Sequence, residues 1–346
     1  MKAIGYSQSL AITNPESLVD IELSQPIAKG RDLLVKVKAI AVNPVDYKVR
    51  LNAAPTAGEF KVLGWDAVGE VVAVGEAASK FSPGDMVYYA GDITRQGSNA
   101  EYQLVDEHIV GKKPKSLSDA EAAALPLTAI TAWEMLFEHL AIKQQSPTST
   151  EKSNEVILVV GAAGGVGSIF VQLAKAITGA IIIATASRES SQAWVQRLGA
   201  DFVVNHNQPL EPQISALIAN EDIGQVTHVA SLNSTASYFD SYIELLAPFG
   251  KIAMIDDPET PLDIMKLKAK SLSFHIEFMF ARSMFNAVDM QEQSRLLNQL
   301  AELIDTGHLQ TTIGKNLGVI NAENLRAAHQ ELESGTSIGK LVLQGF

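Results

Sequence analysis

The 346-residue chain contains no cysteine. That absence removes disulfides, iron–sulfur clusters, cysteine-based zinc sites and thiol nucleophiles together. No two of its seven histidines stand at the His-x-x-x-His spacing of a helical metal site, so only a site assembled from distant residues stays open. Positive charge is scarce as well: 27 Lys and Arg face 39 Asp and Glu, a formal net charge of −12. Nucleic-acid binding, which rests on clustered Lys and Arg, is therefore not expected. No run reaches the roughly 18 apolar residues needed to cross a bilayer. The opening Met1-Lys2-Ala3-Ile4-Gly5-Tyr6 lacks the unbroken apolar core of a secretory signal. A cytoplasmic protein with no membrane and no nucleic-acid partner is the expectation.

Apolar residues are plentiful at 47%, and charged ones make up only 19%, which excludes disorder. At roughly 150 residues per domain, the length suggests about two domains. The first 110 residues read as short strands punctuated by glycine and proline. Leu33–Ile40 suits a half-buried strand ended by Asn43-Pro44, Glu70–Val74 lies between Gly69 and Gly75, and Pro83-Gly84-Asp85 is a turn into Met86–Tyr89. This pattern predicts a small barrel or partly closed sheet. Ser118–Ala124 and Thr128–Leu140 read as helices, and the polar stretch Lys143–Glu155 as an exposed loop. From Val156 onward strands and helices alternate, with strands at Val156–Val160, Ala180–Ala186, Phe202–Asn205, Val226–Leu232 and Lys251–Ile255. Such alternation predicts a parallel sheet with right-handed helical crossovers, and Ser337–Leu343 reads as a last strand.

The most informative segment is Gly161-Ala162-Ala163-Gly164-Gly165-Val166-Gly167-Ser168, between the apolar strand Val156–Val160 and an amphipathic helix. Val166, Ile169, Phe170, Leu173, Ala174 and Ile177 fall on one face of that helix. A glycine loop between strand and helix lets the backbone approach a diphosphate, whose charge the helix N-terminus stabilises. Gly161, Ala163, Gly164, Gly165, Val166 and Gly167 are the expected cofactor contacts. No Lys precedes Ser168, which argues against a nucleoside-triphosphate loop. After the second strand, where NAD-binding units usually place an acid, the chain has Ser187-Arg188 and only then Glu189. A hydroxyl and a guanidinium suit a 2′-phosphate, so NADPH is expected.

These residues, read with Asn43-Pro44-Val45-Asp46, Gly64-Trp65-Asp66-Ala67-Val68-Gly69-Glu70, Gly97-Ser98-Asn99-Ala100-Glu101-Tyr102, Leu125-Pro126-Leu127-Thr128 and Leu198-Gly199-Ala200-Asp201, resemble the medium-chain dehydrogenase/reductase superfamily. The likeness is to its zinc-independent, quinone oxidoreductase-like branch and runs along nearly the whole chain. It implies an α/β fold: a GroES-like β-barrel domain over 1–127 and 269–346, and a Rossmann doubly wound domain over 128–268. It further implies a cofactor held between the domains, and a homodimer joined through the cofactor domains. In zinc-dependent relatives a Cys stands where this chain has Asn43 and a His where it has Trp65. Neither an amide nor an indole is a competent zinc ligand, so no metal is expected.

Without a Lewis acid, acceptors that delocalise the developing negative charge, quinones and α,β-unsaturated carbonyls, become the expected substrates. By the resemblance, Asn43 lies beside the nicotinamide and bonds the acceptor oxygen, and Asp46 orders that loop or touches the nicotinamide ribose. Tyr47 and Lys48 are candidates to line the pocket or donate a proton. Asp46 capping a helical turn is the competing reading. Thr128 and Thr131 face the cofactor by family position, unless a helix hydroxyl satisfies its own backbone. Asn233, Ile255, Phe278 and Lys340 are further cofactor candidates, while Trp65 and Phe280 are candidate pocket walls or core aromatics. The alternative function is a dinucleotide-binding sensor or structural protein with vestigial redox activity. A zinc alcohol dehydrogenase is disfavoured by the missing ligands.

Overall fold

The computed structural model describes residues 1–346. The chain forms two compact units, Met1–Ile130 with Met279–Phe346, and Thr131–Phe278. The first begins with β1 (Lys2–Tyr6), β2 (Val19–Glu22), β3 (Asp32–Val42), α1 (Pro44–Asn52), β4 (Lys61–Val62) and β5 (Ala67–Val74). It continues through β6 (Met86–Tyr89), β7 (Tyr102–Asp106), β8 (Val110–Lys112), α2 (Asp119–Ala123) and α3 (Pro126–Trp133). The second unit contains β9 (Val156–Val160), α4 (Gly165–Ile177), β10 (Ile181–Thr185), α5 (Glu189–Arg197), β11 (Phe202–Val204) and α6 (Leu210–Glu221). It is completed by β12 (Val226–Ser231), α7 (Thr235–Leu245), β13 (Leu246–Met254) and β14 (Ser273–Ile276). The chain then returns to the first unit with α8 (Ala281–Met284), α9 (Glu292–Asp305), β15 (Ile313–Asn316), α10 (Ala322–Glu333) and β16 (Lys340–Gln344).

In the first unit a seven-stranded sheet has the order β15-β16-β3-β5-β6-β8, with β7 also pairing β3, and a three-stranded sheet has the order β2-β1-β4. The long strand β3 is the centre of the larger sheet: it pairs antiparallel with β16, β5 and β7. It is predominantly apolar, and Leu33, Val35, Ala39 and Ile40 are fully buried. Helix α2 opens as its sequence directs, with Ser118 and Glu121 forming a reciprocal capping box. Helix α3 is shorter than the expected Thr128–Leu140 span, because the chain widens into a π-helix over Glu134–His139.

In the second unit six strands, all parallel, lie in the order β11-β10-β9-β12-β13-β14. Val156–Val160 is buried along its whole length, as a central strand covered on both faces must be. The unit runs to 278, ten residues past the expected 268, because β14 adds a sixth strand beside β13. No helix is long and apolar enough to cross a membrane.

Candidate functional site

The second unit concentrates its candidates at one edge. Strand order reverses at β9, whose neighbours β10 and β12 lead the chain outward in opposite directions, and ligands of open parallel sheets bind at the carboxyl ends beside such a switch. Gly161, Ser187, Asn233, Ile255 and Phe278 each follow the carboxyl end of a different strand. Gly161 has φ +81°, a left-handed conformation that suits glycine, and its N–H donates to Thr185 Oγ1 at 3.2 Å. A Cβ at Gly161 would stand 3.1 Å from Asn233 Oδ1, so those two residues meet at the switch. At Gly167 a Cβ would lie 2.5 Å from both Cα and O of Ala162, so only glycine lets α4 seat this close to the loop.

Gly164 caps α4 with extended backbone, and the first N–H bonding back to it is that of Ser168, 2.9 Å from Gly164 O. The N–H groups of Gly165, Val166 and Gly167 therefore stand in the first turn, where helices have no internal acceptor. Ala163, Gly164, Gly165 and Val166 are half-buried, so their backbone reaches the surface of the unit. Beyond β10, Ser187 is half-buried, and exposed Arg188 is the N-cap of α5, with its backbone N–H on Ser191 Oγ at 3.2 Å. Burial and then the Arg188 guanidinium lower the pKa of His206, a neighbour that the sequence reading did not single out.

The first unit holds a different kind of cluster. In the β3–β16 ladder Leu341 pairs with Val42, so the next position brings Lys340 opposite Asn43. Across β5, Ile40 pairs with Ala67, and the Ala41 N–H reaches Asp66 O at 3.3 Å. Three strand ends thus converge, and Asn43, Asp46, Asp66 and Lys340 are only 1%, 1%, 0% and 3% exposed. Lys340 Nζ donates to Asp66 Oδ2 at 2.8 Å, to Val42 O at 3.2 Å and to Asn43 Oδ1. Asn43 Nδ2 donates to Asp66 Oδ2 at 2.8 Å, and the Leu127 N–H to Asp66 Oδ1 at 2.7 Å. Asp46 Oδ2 accepts the Asn43 N–H at 2.8 Å, whereas its buried Oδ1 has no hydrogen-bond partner. Burial pushes the Asp46 carboxyl up to about 7, against the Asn43 N–H and the Lys340 charge, and it also raises that of Asp66.

This geometry assigns Asp46 to the N-terminal turn of α1, its capping reading. Tyr47 and Lys48, half-buried, follow on the same helix. Lys340, a cofactor candidate by family position, has its three N–H groups committed within the cluster. Thr128 likewise gives its hydroxyl proton to Leu125 O at 3.0 Å, the backbone-satisfying alternative. Trp65 and Phe280 are 1% and 2% exposed with ring centroids 5.9 Å apart, edge to face. They are core contacts here rather than walls of an open pocket. Phe278, by contrast, is 47% exposed. Asp66 is the residue that sequence reasoning missed. It stands in the Gly64-Trp65-Asp66 block beside the indole, and no local pattern marks it.

The cluster also tests whether zinc fits. Its donors are a carboxamide, two carboxylates and an ammonium, with no thiolate or imidazole among them, and no group of three or more His, Cys, Asp or Glu anywhere in the chain could hold a metal. Zinc does not fit these residues.

Comparison with known proteins matches residues 29–115 to the alcohol dehydrogenase GroES-like domain and residues 198–343 to the zinc-binding dehydrogenase domain. A zinc-type alcohol dehydrogenase-like protein of Staphylococcus aureus is 40% identical over 343 residues, covering 99% of each chain. A 2-methylene-furan-3-one reductase of Solanum lycopersicum is 39% identical over 226 residues, 60% of this chain and 53% of its own. A crystal structure from Rhizobium etli CFN 42, named for zinc-dependent alcohol dehydrogenase, superposes with a TM-score of 0.93 at 50% identity, covering 100% of this chain and 98% of that one. With an α/β architecture of GroES-like and Rossmann-like parts, the chain belongs to the medium-chain dehydrogenase/reductase superfamily of oxidoreductases.

Proposed function

We propose that this oxidoreductase passes hydride from NADPH to a conjugated carbonyl, a quinone or an α,β-unsaturated ketone, without a metal. The observation that carries the reading is the glycine loop at the carboxyl edge of the parallel sheet, with Ser187 and Arg188 in the place of an acid beyond β10. NADPH, when bound, supplies the hydride. The first-turn N–H groups of α4 hold the diphosphate, and Ser187 and Arg188 hold the 2′-phosphate. Asn43, assigned to the acceptor side by family position, offers a polar hydrogen to the carbonyl oxygen on which negative charge develops. A proton from solvent completes the reduction, so one hydride and one proton are added per acceptor. Conjugation removes the need for a Lewis acid, in keeping with a donor set that does not fit zinc. The name of the tomato relative, an enone reductase, points to the same acceptor class.

The sheet also supports a homodimer through the cofactor units: β14 is an open edge strand, and its Ile276 is 66% exposed. Loss of NADPH absorbance with an ortho-quinone, an enone and a simple aldehyde, each with and without chelator, tests the function. Turnover of the first two, indifferent to chelator, is the expected result. Turnover abolished by chelator would restore a metal mechanism, and tight NADPH binding with no turnover would assign a sensor.

A further inference from the structure

The buried cluster of the first unit constrains its own carboxamide more tightly than the proposed reaction requires. An Asn side chain has two acceptor lone pairs and two polar hydrogens, and its orientation is fixed only by its partners. Here both ends are tied. Asn43 Oδ1 accepts from the Lys340 ammonium and Asn43 Nδ2 gives one hydrogen to Asp66, while the same ammonium and carboxylate are bonded to each other at 2.8 Å. Asp66 is anchored in turn by the Leu127 N–H, and Lys340 by Val42 O. Rotating the amide by half a turn would aim Nδ2 at an ammonium and Oδ1 at a carboxylate, two repulsive contacts in a site with almost no water to screen them.

We propose that Lys340 and Asp66 are positioning residues that lock the Asn43 carboxamide in one orientation, leaving a single Nδ2 hydrogen uncommitted. Asn43 then presents a hydrogen at a fixed place, with its oxygen held against the ammonium, which favours an acceptor whose oxygen gains negative charge over one that must give up a hydroxyl proton. This rests on the reductase reading for its consequence, though not for the locking itself.

Two measurements separate these claims. In protein carrying isotope-labelled asparagine, with the Asn43 side-chain signals assigned by Asn43→Ala, one Asn43 amide hydrogen should exchange slowly with solvent. Lys340→Met should speed that exchange by at least about tenfold, and Lys340→Arg should largely preserve it. Unchanged exchange in Lys340→Met overturns the lock whether or not any acceptor is reduced. In steady-state kinetics Asn43→Ala should lower kcat by about a hundredfold and Lys340→Met by about tenfold or more, with little change in NADPH affinity. The double variant should fall within about twofold of Asn43→Ala alone, because Lys340 acts through Asn43. Fully additive losses would overturn positioning. A wild-type enzyme that reduces no quinone or enone would instead sink the functional reading and leave the exchange result standing. If Lys340→Met does not fold, Asp66→Leu/Lys340→Met, which removes both partners without leaving a lone buried charge, carries the same comparison.

Discussion

The two units solve the problem of holding polar groups in opposite ways. In the second, the groups on offer are main-chain N–H at the start of α4, left half-buried by a loop of glycines. In the first, they are side chains, an amide, two carboxylates and an ammonium, almost wholly removed from solvent. The open site relies on the absence of side chains, the closed one on their mutual satisfaction. Substitutions should therefore fail differently: added bulk breaks the open site, and lost charge breaks the closed one.

The largest effect is expected at Asp66. Asp66→Ala strands the Lys340 ammonium in the core and should cost about 3–5 kcal/mol of stability in urea unfolding, with Asp66→Leu/Lys340→Met recovering much of it. A loss under about 1 kcal/mol would mean that water reaches the cluster. Next comes Gly167→Val, whose Cβ would collide with the Ala162 backbone. It should destabilise by about 1–3 kcal/mol and abolish NADPH binding in a fluorescence titration, because the helix must back away from the loop.

Asp46→Asn sharpens the comparison through pH. With its carboxyl raised to about 7 from an ordinary 3.8, the folded chain keeps a proton that the unfolded chain releases. Asp46 therefore makes stability fall as pH rises between about 4 and 7, then level off. Asn keeps the acceptor for the Asn43 N–H without ionising, so the melting temperature of the variant relative to wild type should climb across that window, by on the order of a few kcal/mol in stability at pH 8. A difference that stays flat with pH would show that Asp46 titrates normally. The smallest effect is at exposed Arg188: Arg188→Ala should weaken NADPH about tenfold and NADH hardly at all, and equal losses would remove the 2′-phosphate assignment.

How much could be read without coordinates follows the same division. Val156–Val160, the glycine loop and the apolar face of α4 are local signals, fixed by strand burial and by a 3.6-residue period, and the structure shows the strand between the same residues and a helix over Gly165–Ile177 that contains the whole apolar face. Ser118–Ala124 was likewise legible as a helix, and its Ser118–Glu121 capping box came with the structure. The Asn43–Asp66–Lys340 cluster had no such local trace. Its members lie on three separate strand ends, and only the pairing of Leu341 with Val42 and of Ile40 with Ala67 brings them together. Asp66 was hidden beside a conspicuous tryptophan, and Lys340 was a cofactor candidate by family position alone, with nothing in the chain to show that its partners are internal.

Strand β16 carries a consequence for how the molecule is made. The contact from Lys340 to Val42 spans 298 residues, and β16 borders the central strand of the first unit. During synthesis that unit must wait, with one flank of β3 unpaired, until residues 340–344 have left the ribosome. The second unit, built from one continuous stretch, can close earlier. A nascent chain arrested before residue 340 should thus expose a sticky strand edge, and chaperone capture should end once Lys340–Gln344 has emerged and paired with β3.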